Sequence, residues 1–140
     1  MKQLPLILKS ILVFAFCIIF YMQAFSQNTG NDYLLKFNRK CTGNVASLNE
    51  KNEKVFTFVI ENMLLQEQIE NFIEILKGHE LVISVDISEI HGDKQQRNAT
   101  VILKPESKIN DFQDLLRLVG VNTIFLDGEL IAVDDLENKK

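Results

Sequence analysis

Val55-Phe56-Thr57-Phe58-Val59-Ile60-Glu61-Asn62-Met63-Leu64-Leu65-Gln66-Glu67-Gln68-Ile69-Glu70-Asn71-Phe72 changes its periodicity halfway, and that change decides the fold. Through Ile60 the residues are β-branched or aromatic, and Phe56, Phe58 and Ile60 alternate onto one face, the signature of a half-buried strand. From Leu65 the apolar positions become Leu65, Ile69, Phe72, Ile73 and Leu76. That is the spacing of one helix face, with Gln66, Glu67, Glu70 and Glu74 on the rest of the cylinder. Asn62 is the expected N-cap and Gly78 the expected residue just past the helix end.

The same switch recurs downstream. Leu81, Ile83, Val85 and Ile87 alternate in a second strand, which places Val82, Ser84 and Asp86 on its other side. The polar stretch His91–Arg97 leads to a third strand in which Ala99, Val101 and Leu103 align, and Pro105, having no amide proton, stops it. Asn110 with Gln113 reads as a capping box. Phe112, Leu115, Leu116 and Val119 form a second amphipathic helix that closes at Gly120. Thr123–Leu126 is a last strand, and Asp127-Gly128 is a tight-turn signal into a hairpin partner, Glu129–Val133. The order β-α-β-β-α-β is the ferredoxin-like pattern, an α+β sandwich of an antiparallel sheet with two helices on one face. A C-terminal hairpin strand is added to it.

Around this domain, residues 54–134, the composition shifts. Residues 135–140 read as a tail. Residues 27–53 are rich in Asn, Gly, Ser, Lys and Glu, and read as a linker or extended arm with one apolar island, Tyr33–Phe37, able to add a strand or dock. Residues 1–26 carry Lys2 and Lys9, an apolar run from Ile11 to Met22, and Ala24-Phe25-Ser26 before Gln27. A positive start, a short apolar core and a small-x-small site make a secretory signal peptide. The run is about 12 residues, short of the roughly 20 that span a bilayer. Counting from Leu4 through Phe25 leaves an uncleaved anchor as the other reading. Cys17 follows the bulky Phe16, which is unlike a lipobox.

Cleavage removes 26 of the 140 residues, two lysines among them and no acids, and takes the formal charge from −4 to −6. It also leaves Cys41 without a second cysteine, so no internal disulfide staples the domain. The chain is 46% hydrophobic, with ten Phe, which excludes a disordered polymer. The acidic balance provides no basic footprint, so no nucleic acid is expected as a partner, and a membrane only during export.

The junction quoted first, Phe58-Val-Ile60-Glu-Asn-Met63-Leu-Leu65-Gln-Glu-Gln68-Ile69-Glu-Asn-Phe72, resembles the heavy-metal-associated (HMA) domain of copper chaperones and metal-transport ATPases. In that family an apolar strand runs into Gly-Met-x-Cys-x-x-Cys, with apolar helix positions following. Met63 matches the family methionine, and Ile69, Phe72 and Leu76 match the helix positions. Val82-Ile-Ser-Val85 and Asn98–Leu103 resemble the family's second and third strands. The resemblance spans roughly residues 55–126 and implies the fold. It does not imply the metal, because Leu65 and Gln68 stand at the positions of the two metal-binding cysteines, and soft Cu(I) or Zn(II) sites require thiolates.

The candidate replacement ligands are Met63, His91 and Asp93, with Glu89 nearby, at the edge where the first strand of the domain ends and the turn between its second and third strands lies; His79 falls at the opposite edge. One imidazole with flexible loop carboxylates makes a weak site, and the expectation is no metal and no other cofactor. There is no HExxH, no GxSxG and no glycine-rich phosphate loop, so no enzyme is expected. Asn98-Ala99-Thr100 matches a glycosylation sequon but lies in a strand. If both helices cover one sheet face, Val59, Val82 and Ile102 lie on the other, beside Thr57, Ser84 and Asp86. A mixed apolar stripe on an open face or edge suits a protein partner or self-association.

The leading expectation is an exported, non-enzymatic binding domain. The alternative is a periplasmic metal-handling protein using non-Cys ligands, and the third a small-molecule regulatory βαββαβ domain.

Overall fold

Alternation makes strands here and a three-to-four-residue repeat makes helices. In the computed structural model, which describes residues 33–39 and 43–137, the strands are β1 (Leu34–Phe37), β2 (Ala46–Leu48), β3 (Lys54–Glu61), β4 (Val82–Ile87), β5 (Gln96–Leu103), β6 (Thr123–Leu126) and β7 (Glu129–Ala132). The helices are α1 (Gln66–Lys77) and α2 (Ile109–Leu118), and a 3-10 turn, Val133–Leu136, follows β7. The leader, Cys41 and the last three residues of the tail lie outside the described residues. The described residues all fall within one unit, residues 31–140.

The fold is α+β, with a seven-stranded mixed sheet in the order β4-β5-β3-β1-β6-β7. An all-antiparallel sheet is corrected at one seam. β1, from the segment read as an arm, inserts between β3 and β6, antiparallel to β3 (Leu34 opposite Glu61, Lys36 opposite Val59) and parallel to β6 (Lys36 opposite Phe125, Phe37 opposite Leu126). The first and last strands of the βαββαβ series are therefore separated by β1 instead of paired. β2 lies in line with β1 along the same edge of β3, opposite Lys54–Phe56. One strand-length of β3 is thus served by two short strands.

The ladders place every buried strand residue on one face. Leu35 lies opposite Ile60, Phe58 opposite Ala99, Phe56 opposite Val101, and Val101 opposite Val85. Ile69, Phe72 and Leu76 of α1 and Phe112, Leu115 and Leu116 of α2 belong to the same core, so both helices cover that face. Phe112 is its hub. Its ring stacks on Phe56 at 3.8 Å between centroids and meets Phe37 edge-on at 5.9 Å. Tyr33 packs edge-on against Phe72 at 6.0 Å and donates its hydroxyl to the Val119 carbonyl. Burial pushes its phenol pKa up to about 12.

Several local expectations are corrected. Asn62 does not cap α1: it takes a left-handed conformation (φ +64°), and the cap is Leu65, whose amide donates to Gln68 Oε1 at 3.2 Å. The second capping pair is Lys108 with Asp111, not Asn110 with Gln113. The Lys108 amide donates to Asp111 Oδ2 at 2.6 Å, while the buried Gln113 amide donates to the Val133 and Asp134 carbonyls and anchors the 3-10 turn. That turn buries Val133 and Leu136, so the ordered chain continues past Asp134. Gly78 closes α1 where expected, in right-handed backbone (φ −69°).

A further correction touches the expected interaction face. A bulge between Val82 and Ser84 sets Val82 opposite the buried Leu103 and Ser84 opposite Ile102. An extra residue in one strand shifts the alternation. Val82 consequently packs against the core, and Ile83 is left 45% exposed.

Candidate functional site

The loop from β3 into α1 carries Met63, Leu65 and Gln68, the positions on which the expected resemblance to HMA domains turns. Here Met63 is fully buried, so its thioether belongs to the core. Its carbonyl accepts from Arg97 Nε at 2.9 Å, and the same guanidinium donates through Nη1 to the Ser88 carbonyl at 3.2 Å. Arg97 is itself buried, on the covered face of β5 opposite Ile60. It therefore ties the β3–α1 loop to the β4–β5 loop from inside. Leu65 is 61% exposed, and Gln68 spends its side-chain oxygen on the helix cap.

His91 is exposed and forms a two-residue backbone bridge with Gln96, while Glu89 and Asp93 are exposed on the same turn. His79 lies past the other end of α1, where its Nδ1 accepts from the Leu81 amide. Among the described residues, no three His, Cys, Asp or Glu side chains gather as a metal site would require.

Two predictions arise at this loop. Replacing Arg97 by Met removes two charge-assisted hydrogen bonds and leaves two inward carbonyls without their donor, an expected loss of about 2–3 kcal/mol by denaturant titration. Amides near Met63 and Ser88 should exchange faster; an unchanged midpoint and unchanged exchange would show that Arg97 does not hold the loops. The second concerns the cysteine positions. Gln68 already reaches back to residue 65, so Leu65→Cys with Gln68→Cys should bring two thiols together at a helix start, where thiolates are favoured. The double variant is expected to bind Cu(I) in competition with a chelator and the parent chain not to do so at that loop. Equal affinity in both proteins would contradict this.

The other sheet face has no described element over it. Its residues are the alternate set, and the ladders align them in rows. Asn98, Val59, Lys36, Phe125 and Leu130 lie abreast across β5, β3, β1, β6 and β7, and Ser84, Ile102, Val55 and Ser47 make a second row across β4, β5, β3 and β2. Thr57 and Thr100 lie between them. Val59 and Ile102 are half-buried on this face, as expected, and Leu130 is 57% exposed.

The charges at one end of this face cancel. Lys36 Nζ lies 2.7 Å from Glu61 Oε1, and Gln96 Nε2 donates to the same oxygen at 2.6 Å. These bonds, that of Lys36 foremost, hold the Glu61 carboxyl below its usual range. Lys36 also sits 5.8 Å from the centre of the Phe125 ring, and an open cavity of about 400 Å³ lies among Lys36, Val59, Gln96, Phe125 and Gly128.

Comparisons of the chain with protein-family models, with curated proteins and with solved structures find no match. The residues that sequence reasoning missed are Lys36, Glu61, Gln96 and Phe125; Glu61 and Gln96 bracket alternating stretches and Lys36 lies within one, none of the three in the apolar set. The signal that leads to them is the island Tyr33–Phe37, once its alternation of Leu35 and Phe37 with Lys36 is read as a strand inside the sheet.

Proposed function

We propose that the chain is an exported, non-enzymatic binding domain that engages a protein through the open face of its sheet. On this reading it is a ferredoxin-like βαββαβ sandwich, related in plan to HMA domains, opened by the insertion of β1. The observation that carries the proposal is the part-apolar surface formed by Val55, Val59, Ile102 and Phe125, interleaved with threonines and serines, with Asp86 opposite Thr100 at its β4 edge and a Lys36–Glu61 pair that satisfies itself at one end. A face of that kind presents apolar area for burial among uncharged hydroxyls, the balance found at the centre of interfaces. Leu65 and Gln68 in place of two thiolates support a role other than metal transfer, which remains the alternative.

Site-specific photo-crosslinking tests the reading. A photoreactive residue at Ile102 or Val59 is expected to yield one discrete protein adduct in the producing cell, and the same residue at Glu70, on the solvent side of α1, none. The adduct should disappear when Thr57→Arg is added. Adducts from Glu70 alone, or from neither face, would overturn it.

A further inference from the structure

At the end of the covered face remote from the Arg97 clamp, β2, β3, the start of α2 and the 3-10 turn leave a cavity of about 430 Å³. That volume is within the range of small-molecule sites, about 300–1,000 Å³. Its floor is core: Val45, Phe56 and Leu136 are buried, and Ile109 packs half-buried beside them. Its rim is not. Lys54 precedes Phe56, Phe58 and Ile60 in the inward-facing set of β3 and stands opposite the buried Leu103. A lysine at such a position is half-buried, and no hydrogen bond or ion pair of its ammonium occurs among the described residues.

Arg39 also lines the cavity and lies 3.7 Å from Asp127, and Glu137 is the one acid among the described lining residues. An apolar floor under an unmatched inward lysine selects an anion with an apolar tail, because the tail takes the floor and the head takes the ammonium. We propose that this cavity binds a single-chain carboxylate, an acyl or aryl acid free in solution. The proposal is independent of the open-face reading, since the cavity belongs to the covered side.

Amide chemical shifts of the purified full chain, titrated with sodium decanoate below its micelle concentration, test it. Saturable shifts at Val45, Phe56 and Ile109 are expected, with none from acetate or from decyltrimethylammonium. Lys54→Met, which keeps the apolar stem and loses the charge, should weaken decanoate binding about tenfold or more. Ala46→Phe, which fills the wall, should abolish it. Decanoate shifts that do not saturate or that centre elsewhere, equal binding of the ammonium amphiphile, acetate binding as tight as decanoate, or unchanged affinity in Lys54→Met would each overturn the proposal.

Discussion

A chain lacking residues 33–37 does not fold: that is the expected result of deleting β1, read by far-ultraviolet circular dichroism and by the dispersion of amide resonances. β1 is interior to the sheet, between β3 and β6. Leu35 and Phe37 are each 1% exposed, and Phe37 stacks on Phe58 at 4.7 Å. Losing both side chains costs about 5–10 kcal/mol on the scale of large-to-small core changes, against a total stability of about 5–15 kcal/mol for a domain. The deletion also strips β3 and β6 of their ladder partners. Leu35→Ala alone should retain a fold weakened by about 2–5 kcal/mol. A deleted chain with native dispersion and a cooperative transition would show that residues 27–53 are the dispensable arm that their composition indicates.

Phe112→Ala is the second large effect, an expected loss of about 3–5 kcal/mol measured by denaturant unfolding. The ring is fully buried and has aromatic partners on both β1 and β3: Phe37, Phe56 and Phe58. Its removal opens a hole that rigid rings on two strands cannot collapse to fill. Leu118→Ala, at a position 57% exposed on the same helix, should change stability by less than about 0.5 kcal/mol. Similar costs at the two positions would mean that α2 does not seat on the sheet through Phe112.

Much of the fold was legible because periodicity is a local property. The strand–helix switch at residues 55–76, the alternation through Leu103, the amphipathic stretch at 112–119 and the Asp127-Gly128 turn each carry their own signal, and each element forms where that signal lies. Both turn residues take positive φ (+52° and +84°), as a two-residue hairpin demands. What stayed hidden depends on partners far along the chain. Nothing within Tyr33–Phe37 says that its neighbours are β3 on one side and β6 on the other. The bulge that turns Val82 inward obeys the pairing with β5 and not the alternation of β4. The cap at Leu65 arises because Met63 is drawn into the core under Arg97, which moves the helix start three residues past Asn62. For the candidate site, Val59 and Ile102 followed from strand parity, but the Lys36–Glu61–Gln96 cluster joins three strands and has no sequence motif.

The parallel seam between β1 and β6 also has a temporal meaning. Phe37 meets Leu126 across 89 positions of chain. Contacts that distant cost closure entropy before they return any stabilisation, and topologies dominated by them fold slowly. Synthesis delivers β1 well before its parallel neighbour β6. A ribosome that has not yet released Thr123–Leu126 holds a nascent chain in which one flank of β1 has no strand to meet. Closure of the sheet therefore waits for β6 and is governed by the later strands to emerge, not by β1.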